Sequence, residues 1–144
     1  MSTRKRNKLV IINKTSRKFA ETIFFRVYEI INNYEELNNR YVNLLLTDDG
    51  SIRDFNKKYL GRDTLTDVIS FSSDLVFTAF LGDIIIDTAV AEEQKGKNTL
   101  EEELQYLFMH GLLHLLGYDH ISTEAGKVMK SKEEKYFLIL KENL

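Results

Sequence analysis

The stretch HGLLHLLGYDH, residues 110–120, holds all three histidines of this 144-residue chain. His110 and His114 are four residues apart, so on an α-helix their rings leave the same face, one turn from each other. Gly117 follows, and glycine readily takes the left-handed conformation that ends a helix. The stretch therefore predicts a helix that ends near Gly117, after which the chain reverses and brings the imidazole of His120 toward the other two.

Such a cluster of imidazoles indicates a metal site. The chain has no cysteine, so it can form neither a disulfide nor a thiolate ligand, and a transition-metal site must use histidine and carboxylate groups. Three neutral imidazoles leave one tetrahedral position of a zinc ion open, which is typical of catalytic rather than structural zinc. Histidines that only pack in the core or cap a helix are the simpler alternative. For three histidines with a glycine in register, we predict that His110, His114 and His120 bind one zinc ion per chain.

The same spacing matches a class of zinc peptidases with the pattern H-E-x-x-H-x-x-G-x-x-H. In this chain Gly111 stands where those enzymes have the glutamate that acts as general base. Glu103 lies two turns upstream on roughly the same helical face, about 10 Å from His110 at ~1.5 Å of rise per residue. A zinc peptidase is therefore the weaker alternative.

Apolar spacing predicts both strands and helices. Short β-prone runs predict strands at 9–13, 41–47, 68–71 and 81–87. Apolar residues at steps of three or four predict helices over 16–33, 51–60 and 89–96, a fourth opened by a capping box at Thr99 and Glu102, and a last one spanning 128–140. We expect a single domain over residues 1–144 with an α/β or α+β fold, in which a small mixed sheet of about four strands packs with helices.

Charge is uneven although the net charge is only −2. Residues 1–20 carry seven basic side chains and no acidic one, so this arm could contact phosphates, although a solvated terminus is the simpler interpretation. The apolar run at 9–12 is too short for a secretory signal, and no stretch approaches a membrane-spanning length. We expect a cytoplasmic protein without a membrane partner.

Three segments together resemble one known family. HGLLHLLGYDH resembles the signature of the YbeY family, bacterial metal-dependent endoribonucleases that act in ribosomal RNA maturation. The segment YLGRDTLTDVISF, residues 59–71, is similar to the family's central motif, and LGDIII, residues 81–86, is similar to the strand that follows it. The three motifs occur in order and at appropriate separations, and the resemblance extends from residue 9 to about residue 140.

The resemblance implies a fold, a reaction and partners. It implies an α+β fold related to the zincins, in which His110, His114 and His120 hold the metal, most often zinc, at one end of a cleft. It implies a single-strand-specific endoribonuclease that acts in processing the 3′ end of 16S ribosomal RNA and in ribosome quality control. The implied partners are ribosomal RNA and the ribosome or its proteins, with no role for DNA.

The chain also departs from the family pattern. Leu60 stands where many members have an arginine, and Leu65 and Ser72 stand where prolines are usual. A guanidinium can clamp a phosphate with two hydrogen bonds, so the missing arginine bears on substrate binding. We expect Arg62, with Lys58 nearby, to bind the phosphate in its place.

No general base is evident beside the histidines. Asp119 adjoins a ligand and either orients it or shapes a turn, while Asp67 and Asp83 are either cleft residues or turn and cap residues. The catalytic residues and the nucleophile, water or the 2′-hydroxyl of RNA, therefore stay open. A metal-stabilised factor that binds RNA or the ribosome without strong nuclease activity is the alternative from a different functional class.

Overall fold

A computed structural model of the protein describes residues 2–6, 8–50, 52, 54, 68–72, 79–119 and 121–142. In these ranges the strands are β1 (Ser2–Arg6), β2 (Leu9–Asn13), β3 (Tyr41–Thr47), β4 (Val68–Ser72) and β5 (Phe80–Asp87). The helices longer than one turn are α1 (Thr22–Tyr34), α2 (Thr88–Gln94), α3 (Leu100–Leu115) and α4 (Thr123–Glu142).

The strands form one mixed sheet in the order β1-β2-β3-β5-β4. The three inner strands β2, β3 and β5 are parallel, while β1 and β4 run antiparallel to their neighbours at the two edges. The crossover from β2 to β3 contains α1, as parallel neighbours require. The predicted α+β fold with a small mixed sheet is confirmed.

The N-terminal basic segment is not a loose arm. Its backbone forms the edge strand β1, which pairs antiparallel with β2 from Ser2↔Asn13 to Arg6↔Leu9. Sequence patterning missed this strand because STRKR has no apolar alternation. Basic residues are a common means by which proteins protect an edge strand from pairing with another chain.

One face of the sheet carries the core. Alternate residues of the inner strands, including Ile11, Leu44 and Ile84, are at most 2% exposed and face the helices. The residues between them, such as Asn43 and Asp83, are only half-buried on the opposite face. The helices therefore cover one face of the sheet.

Helix α1 begins six residues later than the sequence predicts. The Asn13 side chain explains the delay, since its Oδ1 accepts hydrogen bonds from the Thr15 amide (2.9 Å) and hydroxyl (2.6 Å), and its Nδ2 donates to the Arg17 carbonyl (2.8 Å). These local bonds compete with helical ones and hold the segment after β2 in turns. The helix predicted over 51–60 lies almost wholly outside the described residues, although Ile52 and Asp54 are helical.

Helix α3 is the central helix of the core. Phe108 meets Phe24 of α1 edge to face, with ring centroids 5.8 Å apart, and the Gln105 side chain donates to the Ile23 carbonyl (3.0 Å). Arg26 of α1 donates in turn to the Leu140 carbonyl of α4 (2.8 Å). None of the helices in the described ranges combines the length and the apolar character that crossing a bilayer needs.

Candidate metal centre

Both ends of α3 are fixed by local hydrogen bonds. The Thr99 hydroxyl accepts from the Glu102 amide (3.1 Å), and the Glu102 carboxylate accepts from the Thr99 amide (2.9 Å), which is the predicted capping box. At the other end the Gly117 amide donates to the His114 carbonyl and the Tyr118 amide to the Leu113 carbonyl, both at 3.0 Å. This is a Schellman motif, and Gly117 takes the left-handed φ of 105° that it requires.

The structure brings His110 and His114 together as the spacing predicts. Their Nε2 atoms lie 3.1 Å apart, and the two rings meet edge to face with centroids at 4.6 Å. Two nitrogens that each lie ~2.0–2.1 Å from one zinc ion at a tetrahedral angle are about 3.3 Å apart. The pair therefore fits a shared ion with a shift of a few tenths of an ångström.

The opposite side of the His110 ring contacts a buried acid. The Nδ1 atom of His110 lies 2.5 Å from Oε1 of Glu133 on α4, and the Tyr106 hydroxyl donates to Oε2 of the same carboxylate at 2.6 Å. Glu133 is 5% exposed, whereas the side chain of His110 retains 23% exposure. The Nδ1 atom of His110 thus faces the buried Glu133, and its Nε2 atom faces His114.

His120, the third predicted ligand, lies outside the described residues, so the three-histidine site remains a prediction. Over the described ranges, no group of three or more histidine, aspartate or glutamate side chains could hold a metal ion. The part of the centre that can be described is the pair His110 and His114.

A cleft of about 340 Å³ opens beside this pair. Val68, Ser70 and Ser72 of the edge strand β4 line one side, and His110 and His114 line the other. The volume is at the lower end of the range for small-molecule sites. Both imidazoles therefore face a space that a nucleotide-sized group can enter.

Gly111 shows why the peptidase alternative fails. A Cβ atom at this position would lie 3.0 Å from two side-chain carbons of Ile84 and 3.0 Å from Oγ of Ser70, which is tighter than ordinary packing. A glutamate at this position would thus require the side chains of β4 and β5 to shift. The absence of that base is built into the packing of α3 on the sheet.

A second, partly buried acid holds the segment between His114 and His120. Glu35, just after α1, accepts hydrogen bonds from the Tyr118 hydroxyl (2.7 Å), from the Lys132 ammonium (3.1 Å) and, at very short range, from the Tyr136 hydroxyl. Burial would raise the pKa of Glu35, but these hydrogen bonds outweigh it and hold that pKa below its ordinary value of 4.5. Burial and the bond to Glu35 raise the pKa of Tyr136 far above its usual range. The turn that follows α3 is thereby tied to α1 and α4.

The other predicted site residues have different outcomes. Asp119 shapes a turn, since its Oδ1 accepts from the Ile121 amide at 3.0 Å. The placement of Asp83 in the histidine cleft is wrong, because Asp83 lies within β5 on the opposite face and accepts from Asn43 at 3.0 Å. It is not a turn residue either. Arg62, Lys58 and Asp67, like Leu60, lie outside the described residues.

Neither Glu133 nor Glu35 was predicted as a site residue from the sequence. A signal for Glu133 was present, because it lies on the buried stripe of α4 formed by Met129, Tyr136 and Leu140. An acid within an apolar helical stripe needs a polar partner, and a histidine or tyrosine of a neighbouring helix is a natural one. Glu35 follows the last turn of α1 and gave no comparable signal.

Comparison with known proteins identifies the family. The family model described as Endoribonuclease YbeY matches residues 4–141. The chain belongs to the YbeY family. Among curated relatives, Endoribonuclease YbeY of Sulfurihydrogenibium sp. is 38% identical over 137 residues, which cover 91% of this chain and 88% of the relative. The YbeY protein of Aquifex aeolicus is 36% identical over 140 residues, covering 94% and 89%.

The fold agrees with the family assignment. The solution structure of TM1509 from Thermotoga maritima superposes with a TM-score of 0.64 at 30% identity and covers 92% of this chain and 88% of its own. The sequence-based resemblance to the YbeY family is thereby confirmed. The paired imidazoles of α3 lie in the segment that first suggested it.

Proposed function

We propose that this protein is a metal-dependent endoribonuclease that cleaves single-stranded ribosomal RNA, with zinc as its metal. The observation that most supports this proposal is the pair His110 and His114, whose Nε2 atoms lie 3.1 Å apart at the wall of an open cleft. Membership of a family whose curated relatives are named endoribonucleases supports the reaction class. His120 is proposed as the third ligand, giving one zinc ion per chain.

The donor set suits the chemistry. A divalent ion held by imidazoles polarises a phosphoryl oxygen and lowers the pKa of a bound water. His110 and His114 direct one nitrogen each to the same point, while Glu133 occupies the far nitrogen of His110. The Ser70 and Ser72 side chains on the opposite wall supply neutral polar groups to a ribose or a phosphate.

The shape of the cleft favours a flexible strand. A space of about 340 Å³ between an edge strand and a helix admits one nucleotide with its phosphate. Both histidines line this space, and the side chain of His110 is 23% exposed. The bases and backbone of a single strand can be splayed out to reach such a cleft, whereas a duplex cannot bend into it.

Arg62 is proposed to hold the phosphate next to the scissile bond, in place of the arginine that Leu60 replaces. Lys58 is proposed to assist it. The support is chemical, because a guanidinium donates two parallel hydrogen bonds to a phosphate. Removing it lowers RNA affinity without removing the metal.

The proposed setting is ribosome biogenesis. We propose that one domain spanning residues 1–144 acts in the cytoplasm on the 3′ end of 16S ribosomal RNA and in ribosome quality control. Its partners are then ribosomal RNA and the ribosome or its proteins, rather than DNA or a membrane. The support is the family's role and the charge of residues 1–20, which include seven basic side chains and no acidic one.

A second candidate function has one observation in its favour. The described lining of the cleft contains no carboxylate, and both oxygens of nearby Glu133 are already hydrogen-bonded. A metal-stabilised factor that binds RNA or the ribosome without cleaving it needs no base. This candidate is separated from the nuclease by a cleavage assay.

The experiment compares the wild type with His114→Ala and with Glu134→Gln, an exposed neighbour of the site, on single-stranded and duplex RNA with added zinc. We expect the wild type and Glu134→Gln to cleave the single strand, and His114→Ala to lose both cleavage and bound zinc while remaining folded. RNA binding without cleavage by the wild type would favour the binding factor. Equal cleavage by His114→Ala would refute the metal-dependent nuclease.

A further inference from the structure

We propose that Glu133 is a positioning residue for the metal, one that fixes the ring of His110 so that its Nε2 lone pair is directed into the cleft. The inference rests on the proposed metal site and extends it to a second helix. The feature that carries it is the chain of contacts from Tyr106 through Glu133 to His110, with His114 at its end.

Two contacts orient the carboxylate of Glu133. Oε2 accepts from the Tyr106 hydroxyl at 2.6 Å, which leaves Oε1 directed at Nδ1 of His110, 2.5 Å away. Tyr106 and His110 lie on the same face of α3 with ring centroids 6.3 Å apart, so both contacts meet Glu133 from one helix. With 5% exposure, Glu133 has almost no water to replace either partner.

This arrangement selects one tautomer of His110. A carboxylate accepts hydrogen bonds only, so Nδ1 must carry the proton, and in the neutral ring Nε2 is then left with its lone pair. That nitrogen is the one 3.1 Å from Nε2 of His114. A hydrogen bond that a ligand imidazole donates to a carboxylate also makes the ligand more basic and fixes its plane.

Packing alone does not account for an acid at this position. Met129, Tyr136 and Leu140 form the rest of the buried stripe of α4, and an apolar residue at 133 would complete it. A buried carboxylate costs free energy unless it is hydrogen-bonded, and here both oxygens have partners from α3. The contacts therefore serve the orientation of His110 rather than the attachment of α4.

The test measures zinc affinity by competition with a chromophoric chelator, with cleavage of single-stranded RNA recorded alongside. The variants are Glu133→Gln, which removes the charge at constant shape, Tyr106→Phe, which frees the carboxylate to turn, and the control Glu134→Gln. Zinc-free wild type is also studied by nitrogen NMR, which shows which ring nitrogen of His110 is protonated. We expect Nδ1 to carry the proton, a ten- to hundred-fold weaker zinc affinity in Glu133→Gln, a smaller loss in Tyr106→Phe and no change in the control.

Wild-type zinc affinity in a folded Glu133→Gln, or a neutral His110 ring that carries its proton on Nε2 in the zinc-free wild type, would overturn the role of Glu133 and leave the metal site standing. A wild type that binds no zinc would overturn both. Weakened zinc binding in Glu133→Gln, together with a wild type that cleaves no RNA, would refute the nuclease and support the positioning role. If Glu133→Gln fails to fold, the affinity of Tyr106→Phe and the tautomer of His110 decide the question.

Discussion

Replacing Glu35 by glutamine tests how firmly the turn after α3 is held. The carboxylate accepts three hydrogen bonds, from Tyr118, Lys132 and Tyr136, whereas a glutamine offers a single acceptor oxygen. Tyr136 is fully buried and Glu35 keeps only 10% side-chain exposure, so a bond lost here is not replaced by water. We expect Glu35→Gln to lower the free energy of unfolding without changing the fold.

The magnitude follows from the contacts. One phenol hydrogen bond to the charged carboxylate contributes about 1.5–3 kcal/mol. The Lys132 ion pair, a third exposed at the lysine, adds no more than about 1 kcal/mol. The expected loss is therefore about 2–4 kcal/mol at pH 7, or roughly 5–15 °C in Tm for a chain of this size.

The pH dependence gives a second check. The pKa of Glu35 is lowered in the folded protein by its three donors, so its stabilisation is present above pH 4.5 and is lost as pH falls through the folded pKa. The difference between wild type and Glu35→Gln should therefore be constant from pH 7 to about 5 and shrink in stronger acid. Urea unfolding at several pH values measures it, with the exposed neighbour Glu36→Gln as control. Equal stability of Glu35→Gln and wild type at pH 7, or a difference that persists unchanged at pH 3, would refute the reasoning.

Three further changes probe the site. Gly111→Glu, which restores the peptidase pattern, should give no peptidase activity and destabilise the protein by about 1–3 kcal/mol through overpacking against Ile84, as thermal unfolding and a peptide-cleavage assay would show. Gly117→Ala should lower the free energy of unfolding by about 1–2 kcal/mol, because the φ of 105° at this position is unfavourable for any side chain. Zinc affinity should fall as well, and an unchanged Tm would contradict this prediction. Arg62→Ala should weaken RNA binding roughly ten- to a hundred-fold at low salt and less at high salt while zinc content is kept. Lys97→Ala, an equal change of charge at an exposed site outside the basic segment, is its control, and equal RNA affinity of the two variants would place the phosphate contact elsewhere.

Most of the fold could be predicted from local signals in the sequence. The apolar runs of β2 and β3 and the capping box of α3 are properties of adjacent residues, and the structure has them as predicted. The late start of α1 depends on the Asn13 side chain, whose competition with the helix a periodicity argument does not register. Strand β1 depends on pairing with β2 and has no pattern of its own.

The site was predictable where it lies on one helix. His110, His114 and Gly117 are related by helical spacing, so the sequence alone predicts their proximity and the turn that follows. Glu133 reaches His110 from 23 residues away, a contact that depends on how α4 crosses α3. Asp83 is neither of the two things left open for it, a cleft residue or a turn or cap residue, because the face of β5 that the helices cover is a tertiary property.

The wide sequence separation at Glu35 has a consequence for the order in which the chain folds. Its three donors are 83, 97 and 101 residues away, so none of these bonds can form before the turn after α3 has been synthesised, and the bonds from Lys132 and Tyr136 also require α4. Contacts of such range close late and make folding slow, whereas the β1–β2 hairpin is local and can form at once. Glu133 also lies on α4, which is made after α3. We therefore expect the imidazole pair to acquire its support only once α4 has been made, so that chains interrupted before α4 hold Glu35 by Tyr118 alone, leave His110 without its carboxylate partner, and are substrates for proteolysis rather than active on RNA.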